Sequence, residues 1–238
     1  MSGTLAISSR ELRAFFLSPG AYIIAALFLL VCSVVFISQV FIPGQVSSLR
    51  NVFQFATWVL MFVCPAISMR LVSEELRGGT YEVLMTLPVS SGQIIVGKFL
   101  GAVGFLIALL IPTILYVILL EVYGRPDYGA VISGYVGLVL IGAAFLSTGL
   151  LTSCLTPSQP VAFLVAVFFW LAYRLGTKAI PAYLPSPWSN GVFAADPDPR
   201  AQDFIVGLVD SSNVVFFVTL IVVMLIAAIQ AMELRRWR

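Results

Sequence analysis

Chemistry needs side chains that ionise, attack or ligate, and this chain is poor in them. It has no histidine among its 238 residues. That removes the commonest general base, the commonest metal ligand and every Ser-His or Cys-His pairing. Its three cysteines, Cys32, Cys64 and Cys154, lie in or beside apolar runs without metal-ligand spacing, and read as small core or lipid-facing residues. Gly92-Gln-Ile-Ile-Val-Gly97-Lys98-Phe99 has the spacing of a phosphate-binding loop as far as the lysine. Phe99 stands where magnesium would need Ser or Thr, and Ile94-Ile95-Val96 opens an apolar helix instead of following a strand. Lys98 is therefore expected to snorkel to the headgroups, and any ATP used with this protein is expected on another chain. What remains is one polar island deep in the sequence, Arg70 to Gly101, where Glu74, Glu75, Arg77 and Glu82 lie close together. Its chemistry is recognition rather than catalysis.

The elements that position this island follow from composition. The chain is 60% hydrophobic and 10% charged, against about a quarter charged in a soluble domain. Such a chain is an integral membrane protein, built of spans of about 20 apolar residues each. Six are predicted near Ala21–Ile42, Val52–Leu71, Gln93–Leu120, Gly129–Leu151, Val161–Tyr173 and Val214–Met232. The first is too long for the apolar core of a signal peptide and is expected to be a permanent span. A net charge of +2, with basic residues scattered or at membrane edges, gives no sign of a nucleic-acid partner. The spans carry no ionisable residue at mid-depth, where ion-coupled carriers and intramembrane hydrolases keep them. Ser38, Gln39, Gln54 and Ser147 read as interhelical hydrogen-bonding residues.

Between the second and third spans, a helix read from Leu76 places Leu76, Thr80, Val83, Leu84 and Leu87 on one arc. Glu74, Glu75, Gly78, Tyr81 and Glu82 fall opposite. Pro88 stops it, and Ser90 with Gln93 forms a capping box for the third span. Gly78-Gly79 reads as a corner or an ordinary loop. Ser8-x-x-Glu11 reads as another helix start, giving an interfacial helix over residues 1–20 that ends at Ser18-Pro19-Gly20. Gly97-x-x-x-Gly101 with Gly104 lines one face of the third span, and Gly134, Gly137 and Gly142 do so in the fourth. Such stripes serve close packing within one bundle or a dimer seam. With both termini inside, Arg10, Arg13, Arg70, Arg77, Lys98, Arg235, Arg236 and Arg238 are cytoplasmic. Arg50, Arg125, Arg174, Lys178 and Arg200 then lie outside, so the positive-inside rule predicts N-in, C-in. The outer loop, residues 176–213, is rich in proline. It leaves room for a short amphipathic helix at Ala201–Asp210 with Phe204, Ile205, Leu208 and Val209 toward the membrane.

Glu75-Leu-Arg-Gly-Gly-Thr80-Tyr-Glu-Val-Leu-Met-Thr-Leu-Pro88-Val-Ser, followed by Gly97-Lys98, resembles the segment after the second span in membrane subunits of type-two ABC exporters. Glu11-Leu-Arg-Ala-Phe-Phe-Leu-Ser-Pro19-Gly-Ala-Tyr22 is similar to that family's N-terminal elbow and first span. Leu155-Thr-Pro-Ser-Gln159 is similar to its loop between spans four and five, except for Pro160 where a non-proline helix start is usual. Phe204-Ile-Val-Gly-Leu-Val-Asp210 and Glu233-Leu-Arg-Arg-Trp237 are similar to its outer helix and tail. The subgroup it resembles most is the permeases associated with gliding motility and copper-enzyme maturation.

The resemblance implies an all-α domain over residues 21–238 in a bacterial inner membrane. It implies a second permease half, identical or paralogous, and two cytoplasmic ATPase subunits that hold ATP and magnesium, while this chain binds no cofactor and catalyses nothing. The coupling segment, residues 73–92, is expected to dock on the ATPase through Tyr81, Val83, Leu84 and Leu87. Glu74, Glu75, Arg77, Glu82 and Thr80 stand around these anchors, Gly78-Gly79 make the corner, and Pro88 ends the segment. The expected function is ATP-driven movement of a substrate across or out of the membrane. The alternatives are a non-transporting subunit that relays ATPase motion to envelope partners, and a stand-alone channel or carrier.

Overall fold

The computed structural model describes residues 2–40, 49–79, 90–123, 127–183, 185 and 188–236, and among these it is all-helical. In chain order the helices are α1 (Ser2–Leu17), α2 (Pro19–Val40), α3 (Arg50–Ser68), α4 (Arg70–Gly78) and α5 (Ser91–Leu110). There follow α6 (Ile114–Tyr123), α7 (Tyr128–Leu155), α8 (Gln159–Ala179), α9 (Trp188–Ala194), α10 (Pro197–Val206) and α11 (Ser211–Arg236). Six segments are long and apolar enough to cross a membrane: Pro19–Ser38, Arg50–Gly78, Ser91–Val122, Tyr128–Leu155, Gln159–Ala182 and Ser211–Arg235.

The fourth segment is the axis. In its most apolar window 61% of residues are buried, against 11% in the sixth, and α7 packs on α3, α5, α8, α10 and α11. Its glycines permit this. A Cβ on Gly134 would stand 2.5 Å from the Phe53 ring, on Gly137 2.6 Å from Phe204, and on Gly142 2.6 Å from Leu106. All three glycines are therefore used inside the bundle. The Gln39 side chain lies outside those described, and interhelical hydrogen bonds run through residues other than Ser38, Gln54 and Ser147. Ser38 and Ser147 donate to Val35 and Ala144 of their own helices, which satisfies a hydroxyl without a partner helix. Tyr116, Ser33 and Leu29 instead tie α6 to α2, and Ser133 donates to the Phe204 carbonyl at 2.7 Å. Gln54 is exposed.

Several boundaries move for local reasons. The third span is interrupted by a 3-10 turn at Ile111–Thr113, because Pro112 cannot donate to the turn before it. The fifth runs well past Tyr173: Arg174 lies 3.8 Å over the Trp58 ring and shares the carboxylate of Asp198 with Lys178, so each cation has a partner. Pro160 falls in the first turn of α8, where a missing N–H costs nothing, so the local shape is undisturbed. The outer helix starts earlier than expected, at Pro197, with Asp196 as its cap. It ends at Gly207, whose φ is +104°. Its Phe204 and Ile205 face the bundle, at 0% and 6% exposure, and Leu208 and Val209 beyond its end are exposed. The apolar side of this helix therefore covers α7 instead of meeting lipid.

Candidate functional site

The polar island is built where α1, α4, α5 and the end of α7 meet. Arg50–Gly78 is 29 residues long, about 43 Å at 1.5 Å per residue, which exceeds a hydrocarbon core of about 30 Å. The excess falls on its polar last turns, α4, which carry Glu74, Glu75 and Arg77. The chain breaks at Met69, four residues after Pro65. A break leaves the first amides of the new helix without partners, and a residue from another helix supplies them. Ser153 Oγ, at the end of α7, accepts from Val72 N at 2.9 Å and Ser73 N at 3.0 Å. It donates in turn to the Met69 carbonyl at 3.2 Å, while Ser73 Oγ donates to the Ser153 carbonyl at 3.2 Å. Ser73 and Ser153 are both fully buried. One turn away, a Cβ on Gly149 would stand 1.9 Å from Ser68 Oγ, so only glycine lets α7 approach the break this closely.

On its opposite side α4 is held by charge. Lys98 on α5 is 1% exposed, and its Nζ lies 2.7 Å from Glu75 Oε1 and 3.0 Å from Glu11 Oε1. Arg10 joins them, 2.8 Å from Glu11 and 3.5 Å from Glu75. Two carboxylates and two cations balance, as burial of charge demands. Burial raises the Glu11 carboxyl, but Lys98 and Arg10 together outweigh it and hold Glu11 below its ordinary value. Glu75 Oε2 is buried without a hydrogen-bond partner among the described residues.

Lys98 thus does not snorkel to the headgroups. Gly97, Gly101 and Gly104 explain why: added Cβ atoms would lie 2.9 Å from Ile7, 2.8 Å from Glu11 Cβ and 3.3 Å from Leu12. The stripe lets α1 lie along the first turns of α5 and seal the lysine. Phe15 stacks on Phe105 further along. Ser8 and Glu11 accordingly sit inside α1, which begins at Ser2, and Glu11 faces Lys98 instead of capping an N-terminus. Gly92 and Lys98 are both helical, so the phosphate-loop spacing is not a loop. The Ser90–Gln93 capping box is present, with reciprocal bonds of 3.2 and 3.1 Å.

Of the other predicted residues, Leu76 is half-buried near the end of α4, and Glu74, Arg77 and Gly78 are exposed there. Gly79 has φ +68° and ends α4, so the helix read from Leu76 is broken at Gly79. Thr80, Tyr81, Glu82, Val83, Leu84, Leu87 and Pro88 lie outside the described residues. Sequence reasoning missed Ser153, for which no local signal exists. It also missed the enclosure of Lys98, for which the flanking Gly97 and Gly101 were the available signal. Among the described residues no metal-binding cluster occurs; the site is a packed joint of four helices held by hydrogen bonds and ion pairs.

No curated protein matches the chain. A family model described as ABC-2 family transporter protein matches residues 5–235, which includes every residue whose side chain forms the joint. With six membrane-crossing helices beneath that match, the chain belongs to the ABC-2 transporter family, as a multi-pass membrane subunit of permease type.

Proposed function

We propose that this chain is the permease half of an ATP-driven transporter, oriented N-in and C-in. A separate cytoplasmic ATPase would grip it just beyond Gly79. The observation that carries this reading is the three-way attachment of α4. That helix is stapled to α7 by Ser153 and to both α5 and α1 through Glu75, Lys98 and Glu11. A push arriving at residues 80–88 therefore enters the third and fourth spans and the N-terminal helix together, instead of dissipating in a loose loop. In this reading Tyr81, Val83, Leu84 and Leu87 anchor the ATPase, Arg77 and Glu82 rim them, and Glu75 serves the joint. The ATPase subunits hold ATP and magnesium. A second permease half completes the pathway in a bacterial inner membrane. The sequence resemblance to permeases of gliding motility and copper-enzyme maturation makes those the substrate systems to try first.

The test is co-expression with the ABC ATPase encoded nearest to it, purification in mild detergent, and measurement of ATP hydrolysis. Tyr81→Ala with Leu84→Ala should abolish co-purification, whereas Lys98→Met should leave binding intact and remove the effect of the permease on hydrolysis. Undiminished binding of the double variant would refute the docking assignment.

A further inference from the structure

Between the last turn of α1, the break at Ser18 and the first turns of α4 lies an open cleft of about 440 Å³. That volume falls in the range of small-ligand sites, roughly 300–1,000 Å³. Arg70 and Glu74 both line it. They stand one turn apart on α4, the spacing at which opposite charges pair along a helix, and they do not pair. Arg70 Nη1 donates instead to Ser18 Oγ at 2.6 Å, and its guanidinium lies 4.7 Å from the centre of the Phe15 ring. A guanidinium has five donors in a fork suited to phosphate oxygens, and only this one finds an acceptor among the described residues. Glu74 is exposed and has no hydrogen-bond or ion-pair partner among them. The cleft therefore offers a fixed cation and a free carboxylate side by side.

Its depth is set by the chain. Ser18 immediately precedes the first membrane segment, Pro19–Ser38. Arg70 lies 20 residues after the start of the second, at Arg50, about 30 Å along a helix, which is one hydrocarbon thickness. Both counts put the cleft at headgroup level. Leu17, 83% exposed, stands at its mouth, where a soluble zwitterion would have no use for it and an acyl chain would.

We propose that this cleft binds the headgroup of a zwitterionic aminophospholipid of the phosphatidylethanolamine class. The phosphate lies against Arg70 and Ser18, and the primary ammonium against Glu74. Phosphatidylcholine has no N–H to offer Glu74, and the one nearby ring, Phe15, is 2% exposed and already covered by Arg70. Phosphatidylglycerol has no cation and would bring its phosphate beside Glu74 and Glu11.

The test uses the full chain, without an ATPase, reconstituted in vesicles of equal parts phosphatidylethanolamine, phosphatidylcholine and phosphatidylglycerol. It is then extracted in mild detergent, and the retained lipid is quantified by mass spectrometry. Phosphatidylethanolamine should be enriched over phosphatidylcholine by about two- to fivefold, the scale of one partly exposed ion pair. Glu74→Gln, which alters an exposed side chain, should bring that ratio to one. Arg70→Met should lower retention of both lipids. Thermal unfolding of each variant separates lost binding from lost fold, and the Glu74→Gln result decides the matter even if Arg70→Met is unstable. Retained lipid that mirrors the bulk, a preference for phosphatidylglycerol, or an unchanged ratio in Glu74→Gln would each overturn the proposal. None of these results bears on ATPase docking beyond Gly79.

Discussion

A lysine buried in a helical bundle is tolerated only when its charge is matched, and at Lys98 the match comes from two other helices. Removing it leaves Glu11 and Glu75 facing one another with little solvent. Lys98→Met should cost about 3–5 kcal/mol, as breaking a buried pair from one side does. Combining it with Glu11→Gln and Glu75→Gln should recover most of that loss, and thermal unfolding of both variants in one detergent compares them. The joint also has a defined acid dependence. Glu11 titrates below its unfolded value of 4.5, so its contribution is fully present above that pH and is lost as pH falls through the lower, folded value. Acidification below the ordinary value of 4.5 should therefore erode the stability of the parent protein toward that of Glu11→Gln. A constant gap between the two across that range would show that Glu11 is not held in its charged form. These are tertiary properties. Lys98 beside Gly97 reads from sequence as a lipid-edge lysine, and only the approach of α1 over the glycines makes it a hub.

At the scale of elements, the hinge at Met69 depends on a cap borrowed from α7. Ser153→Ala would leave the amides of Val72 and Ser73 without acceptors, at about 1–3 kcal/mol for an unsatisfied buried group. Hydrogen exchange should show residues 70–78 losing protection while the buried middle of α7 keeps its own. Equal protection before and after the change would mean that α4 stands without the staple. The helices themselves were legible, since apolar runs of membrane length, the Ser90–Gln93 box and Gly79 all act locally. Interruptions that depend on one residue, such as Pro112, were also within reach of the sequence. What was not legible was which face each helix turns to which neighbour. Phe204 and Ile205 look as fit for lipid as for α7, and the choice rests on the space that Gly137 leaves. Ser153 carries no local signal, because the amides it serves lie some 80 residues earlier.

For the whole molecule, the proposed docking of a cytoplasmic ATPase beyond Gly79 requires that the α4 end face the cytoplasm. The charges at the two ends favour this unequally. At the far end Arg174 and Lys178 share the single carboxylate of Asp198, and Arg200 is engaged by the Ala194 carbonyl, Ser212 and Asn213. At the α4 end stand Arg10, Arg13, Arg70, Arg77, Lys98 and Arg235, against Arg50, Arg174, Lys178 and Arg200 among the described residues at the far end, and the positive-inside rule assigns the end with the excess of basic residues to the cytoplasm. The native cysteines permit a direct check without being removed, because Cys32, Cys64 and Cys154 are 1%, 0% and 1% exposed. A cysteine introduced by Arg77→Cys should react with a membrane-impermeant maleimide only in inside-out vesicles. One introduced by Tyr183→Cys, where the side chain is 87% exposed, should react only in right-side-out vesicles or intact cells. Labelling of both from the same side would break the six-span count, since an odd number of crossings separates the two positions. Labelling of position 77 from outside alone would leave the bundle intact and turn α4, with its staple and its ionic joint, away from any cytoplasmic motor.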